Sequence, residues 1–259
     1  MAARYGTSEG RALFWYWQTQ IDPIRKNKPF PKMIRDQVCI CSGFFPNNDD
    51  MLKKWAVLET EASRFVDVLG TMDFYGEEWC VSKLCPQAML MPASGITPDS
   101  SGWTSFLKGK SVLVIHPFKD TIEKQYNMNR EMIYSNPDVL PEFDLQCIQA
   151  VQTLGDAEDE RFCDWFEALD YMTEEVSKRD FDIALIGCGA YGFPLAARIK
   201  QMGKMAIHMG GSLQTLFGIK GSRWDSHKKV SKNYNEFWVY PSDAEKPCGA
   251  EKVENACYW

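Results

Sequence analysis

The sequence predicts an α/β domain in which a mostly parallel sheet is flanked by helices, and three observations predict it. Ser111-Val112-Leu113-Val114-Ile115 is an unbroken apolar run, as expected of a strand covered on both faces. From Ser111 to Met209 such strands alternate with amphipathic helical segments, the order that parallel strands with right-handed crossovers require. Two of the strands run directly into glycine turns, Gly187–Gly192 and Gly210–Ser212.

Taken in order, Arg4-Tyr5-Gly6-Thr7-Ser8-Glu9 reads as a very short strand running into a helix. Thr7 or Ser8 is its expected cap, and Leu13, Phe14, Trp17 and Ile21 mark its apolar side. So little chain precedes this turn that a segment of a longer protein is one reading. Asp22 to Pro31 is a connector rich in Pro, Lys and Arg. Asn48 to Gly70 is expected to be one long helix with Leu52, Trp55, Ala56, Leu58, Phe65, Val66 and Leu69 on its face and Gly70 as its C-cap. Ala88 to Met91 is a short strand and Pro92 to Gly102 a polar loop. The Ser111 strand ends in His116-Pro117-Phe118, after which Asp120 can cap a helix. Then follow a strand over Leu145–Val151, a helix over Phe162–Lys178, a strand over Asp182–Ile186, a helix over Phe193–Met202 stopped by Gly203, and a strand over Lys204–Met209. Beyond Gly218 the pattern loses regularity. Residues 225–259 read as an irregular arm that packs over the sheet or caps a cleft, so 1–259 is expected to form one domain.

The totals bound the function. With 259 residues, 45% hydrophobic and 25% charged, the chain can bury a large core. A net charge of −6 gives no bulk attraction for nucleic acid or anionic lipid. No apolar run reaches the roughly 20 residues that span a bilayer, and no signal-peptide core follows Met1. Nine scattered cysteines, an odd number without a CxxC pair, fit reduced thiols and a cytoplasmic location. With only three histidines, a Cys/His zinc site is not expected.

The chemistry-bearing positions cluster at strand ends. Gly187-Cys188-Gly189-Ala190-Tyr191-Gly192 matches GxGxxG between a strand and a helix, where free amides and the helix dipole favour a phosphate. A dinucleotide site also wants an acidic residue at the end of the next strand. Here that strand ends in His208-Met209-Gly210-Gly211, which argues against NAD or FAD. Gly210-Gly211-Ser212 is a second glycine turn, with Ser212 able to cap the helix that holds Leu213 and Gln214. In a parallel sheet ligands gather outside the carboxyl ends of the strands, which would bring Gly6, His116, Gly189 and Gly211 to one edge. Arg4 suits a phosphate and Glu9 a divalent cation, but their spacing fits equally a surface ion pair. Glu77 and Glu78 read as a solvated pair, and Arg223-Trp224 as a ligand clamp or a packed arm.

With these residues assembled, the chain resembles the GT-D-type glycosyltransferases, especially a bacterial and viral branch of GT-D-like domains. The likeness rests on Arg4-Tyr5-Gly6-Thr7-Ser8-Glu9, which is similar to that family's R-[FY]-G-D-G-E start, and on Val114-Ile115-His116-Pro117-Phe118 with Gln125-Tyr126. It rests further on the stretch from Asp182 through the two glycine turns to Gln214 and Phe217-Gly218-Ile219-Lys220-Gly221. The resemblance implies a single Rossmann-like domain that moves a sugar from a UDP- or GDP-linked donor to a glycan acceptor. A base is needed if the transfer inverts the anomeric centre, and Glu9 is the first candidate and His116 the second. Arg4, Gly6, Thr7, Ser8, His116, Pro117, Gly187, Gly189, Ala190, Tyr191, Gly210, Gly211, Ser212, Gln214 and Arg223 would line the donor site. The family's Asp-x-Glu pair would hold Mn²⁺ or Mg²⁺. Glu9 matches its glutamate, whereas Thr7 stands where the aspartate belongs, so Glu9 is the one metal-binding side chain the motif retains. The rival readings are a non-catalytic nucleotide- or sugar-binding module and an atypical Rossmann oxidoreductase.

Overall fold

The computed structural model describes residues 1–97 and 102–259. Its centre is one seven-stranded sheet in which all pairings are parallel, with the order β3-β2-β1-β7-β6-β4-β5. The strands are β1 (Ala2–Arg4), β2 (Val68–Thr71), β3 (Met89–Pro92), β4 (Ser111–His116), β5 (Asp144–Gln149), β6 (Ile183–Ile186) and β7 (Met205–His208). The chain starts at the middle, winds outward to β3, crosses to β4 and β5, then returns through β6 and β7 to lie beside β1. The connections leaving β4 and β6 therefore run in opposite directions, and a crevice opens between those strand ends.

Burial on both faces explains the unbroken apolar runs. Leu113 and Ile115 of β4 point into one core with Leu13, Trp55, Trp165 and Leu195. Val112 and Val114 point into a second core with Ile122, Phe217, Trp224 and Trp238. The first face is covered by α1 (Thr7–Ile21), α2 (Lys32–Ser42), α3 (Asp49–Ser63), α4 (Glu77–Leu84), α6 (Trp165–Ser177) and α7 (Gly192–Gln201). The second is covered by α5 (Lys119–Ile133), α8 (Leu213–Leu216) and the arm with its short helices α9 (Ser222–Asp225) and α10 (Lys228–Ser231). No helix among the described residues is long and apolar enough to cross a membrane.

Two expectations need correction, and one helix was not foreseen. The helix expected over Asn48–Gly70 ends at Ser63, and Val68–Thr71 is β2, with Gly70 inside a strand rather than at a C-cap. A short strand buried on both sides carries the same apolar residues as the last turn of a helix. The connector after α1 leads into a further helix, α2, whose C-cap is Gly43 at φ 78. Asp120 does not cap α5. That helix starts without a cap from its own end, and Glu245 of the arm supplies one instead, accepting from Thr121 N at 3.1 Å and from the Thr121 hydroxyl. The polar loop expected over Pro92–Gly102 runs partly through residues 98–101, outside the described residues.

Candidate functional site

Residues from eight separate segments line one cleft at the carboxyl edge of the sheet: the β1–α1 turn, the end of α2, the ends of β2, β4, β5, β6 and β7, and the arm. Its empty space is about 990 Å³, including the part open to solvent. Gly187 shows how tightly the strand ends converge. A Cβ there would lie 2.7 Å from Gly210 O and 2.7 Å from His116 Cδ2.

The first wall is the β1–α1 turn. Tyr5 anchors it, fully buried, stacked on Phe193 at 4.8 Å and bonded through its hydroxyl to Ser63 Oγ at 2.6 Å. Arg4 and Glu9 face the cleft on either side of that anchor. Arg4 Nε donates to Met209 O at 3.2 Å, and its guanidinium packs on Gly210, where a Cβ would lie 2.1 Å from Nη2. Gly210 has φ +60, a backbone that suits glycine in any case. Glu9 folds back on the Gly6 Cα, where a Cβ would lie 2.0 Å from Oε2. Arg4 and Glu9 do not pair with each other, so the surface ion pair that their spacing allowed is not formed. Behind Glu9, buried Glu59 of α3 has its carboxyl pushed well above the usual range, first by burial and then by the charge of Glu9.

Helix α1 begins at Gly6 with no side-chain cap, so Thr7 and Ser8 do not fill the role expected of them. The amides at the start of this 15-residue helix open on the cleft with its positive dipole end. The Gly189–Tyr191 turn leading into α7 has no side-chain cap either. The start of α5 differs, because Glu245 already occupies it.

His116 is buried, and its Nδ1 accepts from Phe118 N–H at 2.9 Å. Burial pushes its pKa down to about 3, so the ring is neutral with its proton on Nε2. At the cleft wall it is then a hydrogen-bond donor, and the expectation that it serves as a base is revised on that geometry. His208 is likewise pushed down to about 3, by burial first and by Arg4 second.

Of the expected donor-site residues, Arg4, Gly6, Thr7, Ser8, Glu9, His116, Pro117, Gly187, Gly189, Tyr191, Gly210, Gly211, Gln214 and Arg223 all line this cleft. Ala190 and Ser212 do not line it. Ala190 is in the core, and Ser212 Oγ donates to Met209 O at 2.9 Å. Tyr191 has a structural task as well. Its ring stacks on Trp165 at 5.0 Å and its hydroxyl meets Thr153 Oγ1 at 3.0 Å. Glu77, read from the sequence as solvated, is buried and accepts from Met72 N at 2.8 Å and Asp73 N at 2.6 Å.

Sequence reasoning missed Cys41–Gly43 at the end of α2, Val151–Leu154 after β5, and Glu254, Tyr258 and Trp259 of the arm. The strand-end rule would have found the β5 loop. Nothing in local spacing marks the others. Two carboxylates line the cleft, Glu9 and Glu254, and Glu254 is engaged by Arg223. Among the described residues, no group of three or more His, Cys, Asp or Glu side chains could hold a metal ion.

Fold and cleft together define a class: a doubly wound, Rossmann-like α/β domain with a cleft at its carboxyl edge. No family model, curated protein or solved structure matches the chain closely enough to say more.

Proposed function

We propose that this protein transfers a sugar from a nucleotide-diphosphate donor to a glycan acceptor. The observation that carries the reading is the uncapped start of α1, flanked by an arginine without a carboxylate partner and facing two glycine turns across one cleft. Such an arrangement is built for negative oxygen atoms. A carboxylate that makes no ion pair, Glu9, stands beside it. The resemblance of the first turn and the glycine-rich stretches to the GT-D-type enzymes points the same way.

In the proposed reaction an acceptor oxygen attacks the anomeric carbon and the bond from that carbon to the diphosphate breaks. The electron pair leaves on the diphosphate, where Arg4 and the amides of Thr7 and Ser8 stabilise it. Glu9 takes the proton of the acceptor hydroxyl. His116 donates from Nε2 to a ligand oxygen. Nine cysteines free of disulfides fit a reducing, cytoplasmic setting for this chemistry.

A second reading, a non-catalytic binding module, is favoured by one observation: Thr7 stands where the GT-D motif has its aspartate. Thermal-shift measurements with UDP, GDP and NAD, followed by assays of donor-sugar hydrolysis and transfer, separate the readings. Stabilisation by a nucleoside diphosphate with sugar release supports the transferase. Stabilisation without turnover supports the binding module, and stabilisation by NAD alone contradicts the transferase.

A further inference from the structure

Arg223 stands at the cleft with its charge already occupied. Nη2 pairs with Glu254, Nη1 donates to the Tyr258 hydroxyl at 2.9 Å, and the guanidinium lies over the Tyr258 ring at 4.7 Å. Glu254, Tyr258 and Trp259 line the same cleft as the first glycine turn. The Tyr258 ring presses on Gly211, where a Cβ would lie 2.2 Å from Cε1.

The segment that carries these side chains is held in an unfavourable backbone. Glu254, Asn255 and Ala256 are consecutive non-glycine residues at φ 49, 58 and 59, in the left-handed region that L-residues avoid. Beneath it, Gln214 is 0% exposed and donates from Nε2 to Lys220 O at 2.7 Å and to Tyr258 O at 3.2 Å, while its Oε1 has no partner. The Arg223–Glu254 pair is itself half in water, with the two side chains 31% and 58% exposed. A carboxylate in that position holds an arginine weakly, whereas a phosphate group offers more charge and a bidentate match.

We propose that the segment Ala250–Trp259 is a latch on the cleft. Glu254 stands in for a ligand phosphate on Arg223, and a bound diphosphate takes the guanidinium over and releases the segment. The proposal rests on the phosphate-binding reading of the same cleft and adds its regulation.

The test is calorimetric titration of the full chain with inorganic pyrophosphate and with UDP. Four proteins are compared: the wild type, Glu254→Gln, Arg223→Gln and the double variant. The latch predicts that Glu254→Gln binds pyrophosphate about two- to fivefold more tightly, by removing a weak competitor. It predicts that Arg223→Gln binds about tenfold more weakly, and that Glu254→Gln changes nothing once Arg223 is gone. Hydrogen exchange gives a second readout, with the amides of residues 254–259 exchanging faster at saturating pyrophosphate. Wild-type binding that is unchanged or weakened by Glu254→Gln, or exchange that slows, overturns the latch and leaves the phosphate site standing. Absence of binding in both the wild type and Glu254→Gln overturns the phosphate reading and the latch with it.

Discussion

Glu9 is legible in the sequence because the chemistry of its turn is local. An arginine, a glycine and a carboxylate sit within one strand-to-helix junction, and the structure puts Arg4 and Glu9 on the same cleft. Tyr258 was not legible as a cleft residue, because its place depends on a contact with Gly211, far away in the chain. Glu9→Gln should keep the fold, with a melting temperature near that of the wild type, while turnover falls at least about a hundredfold for loss of a general base. Turnover close to wild type would remove Glu9 from the chemistry. The two buried histidines make a separate prediction. Their folded pKa values lie at about 3, against 6.5 for the free group. Between those limits the unfolded chain binds protons that the folded chain refuses. Stability is therefore full above about pH 6.5 and falls as the pH drops toward 3, by up to about 1.4 kcal/mol per pH unit for each histidine. His116→Asn, whose amide oxygen can still accept from Phe118 N–H, should flatten the stability–pH curve between pH 7 and 5 in denaturant titrations. A slope unchanged by that substitution would contradict the neutral, buried state of His116.

At the scale of elements, the starts of α1, α5 and α7 all border the cleft, and of these only the start of α5 is capped by a side chain, from the arm. Glu245 closes the start of α5 with bonds to Thr121 N and the Thr121 hydroxyl, and it also accepts from Ser242 N at 3.1 Å. The starts of α1 and α7 have no side-chain cap. Glu245→Ala should thus cost about 2–3 kcal/mol, by leaving buried donors unpaired and by loosening the arm, as read from chemical denaturation. A cost below about 0.5 kcal/mol would show that the arm is held elsewhere. Legible in the sequence are β4, β6, α7 and β7, with long apolar runs or glycine stops, and also β1, α1, β3, β5 and α6 close to their expected bounds. The boundary between α3 and β2 was hidden. Phe65, Val66 and Leu69 continue the spacing of Leu52 and Trp55, and a strand of four residues, with Leu69 and Gly70 buried and Val68 and Thr71 half-buried, carries no alternation that would betray it.

At the scale of the whole molecule, the strand order decides where a ligand can sit. The all-parallel sheet was readable from the alternation of strands and helices. Its order was not, because nothing local says that the last strand returns to lie beside the first. That return, with Ala2 paired to Ile207, carries Arg4 onto Gly210 and closes the cleft. The most direct measurement is the position of a nucleoside diphosphate in crystals of the protein soaked with UDP or GDP. The account predicts phosphate oxygens within hydrogen-bond reach of the Thr7 and Ser8 amides and the Arg4 guanidinium, with the glycine turn at Gly187–Gly189 against the same ligand. Phosphates bound at any other edge of the sheet, with that cleft empty, would contradict it.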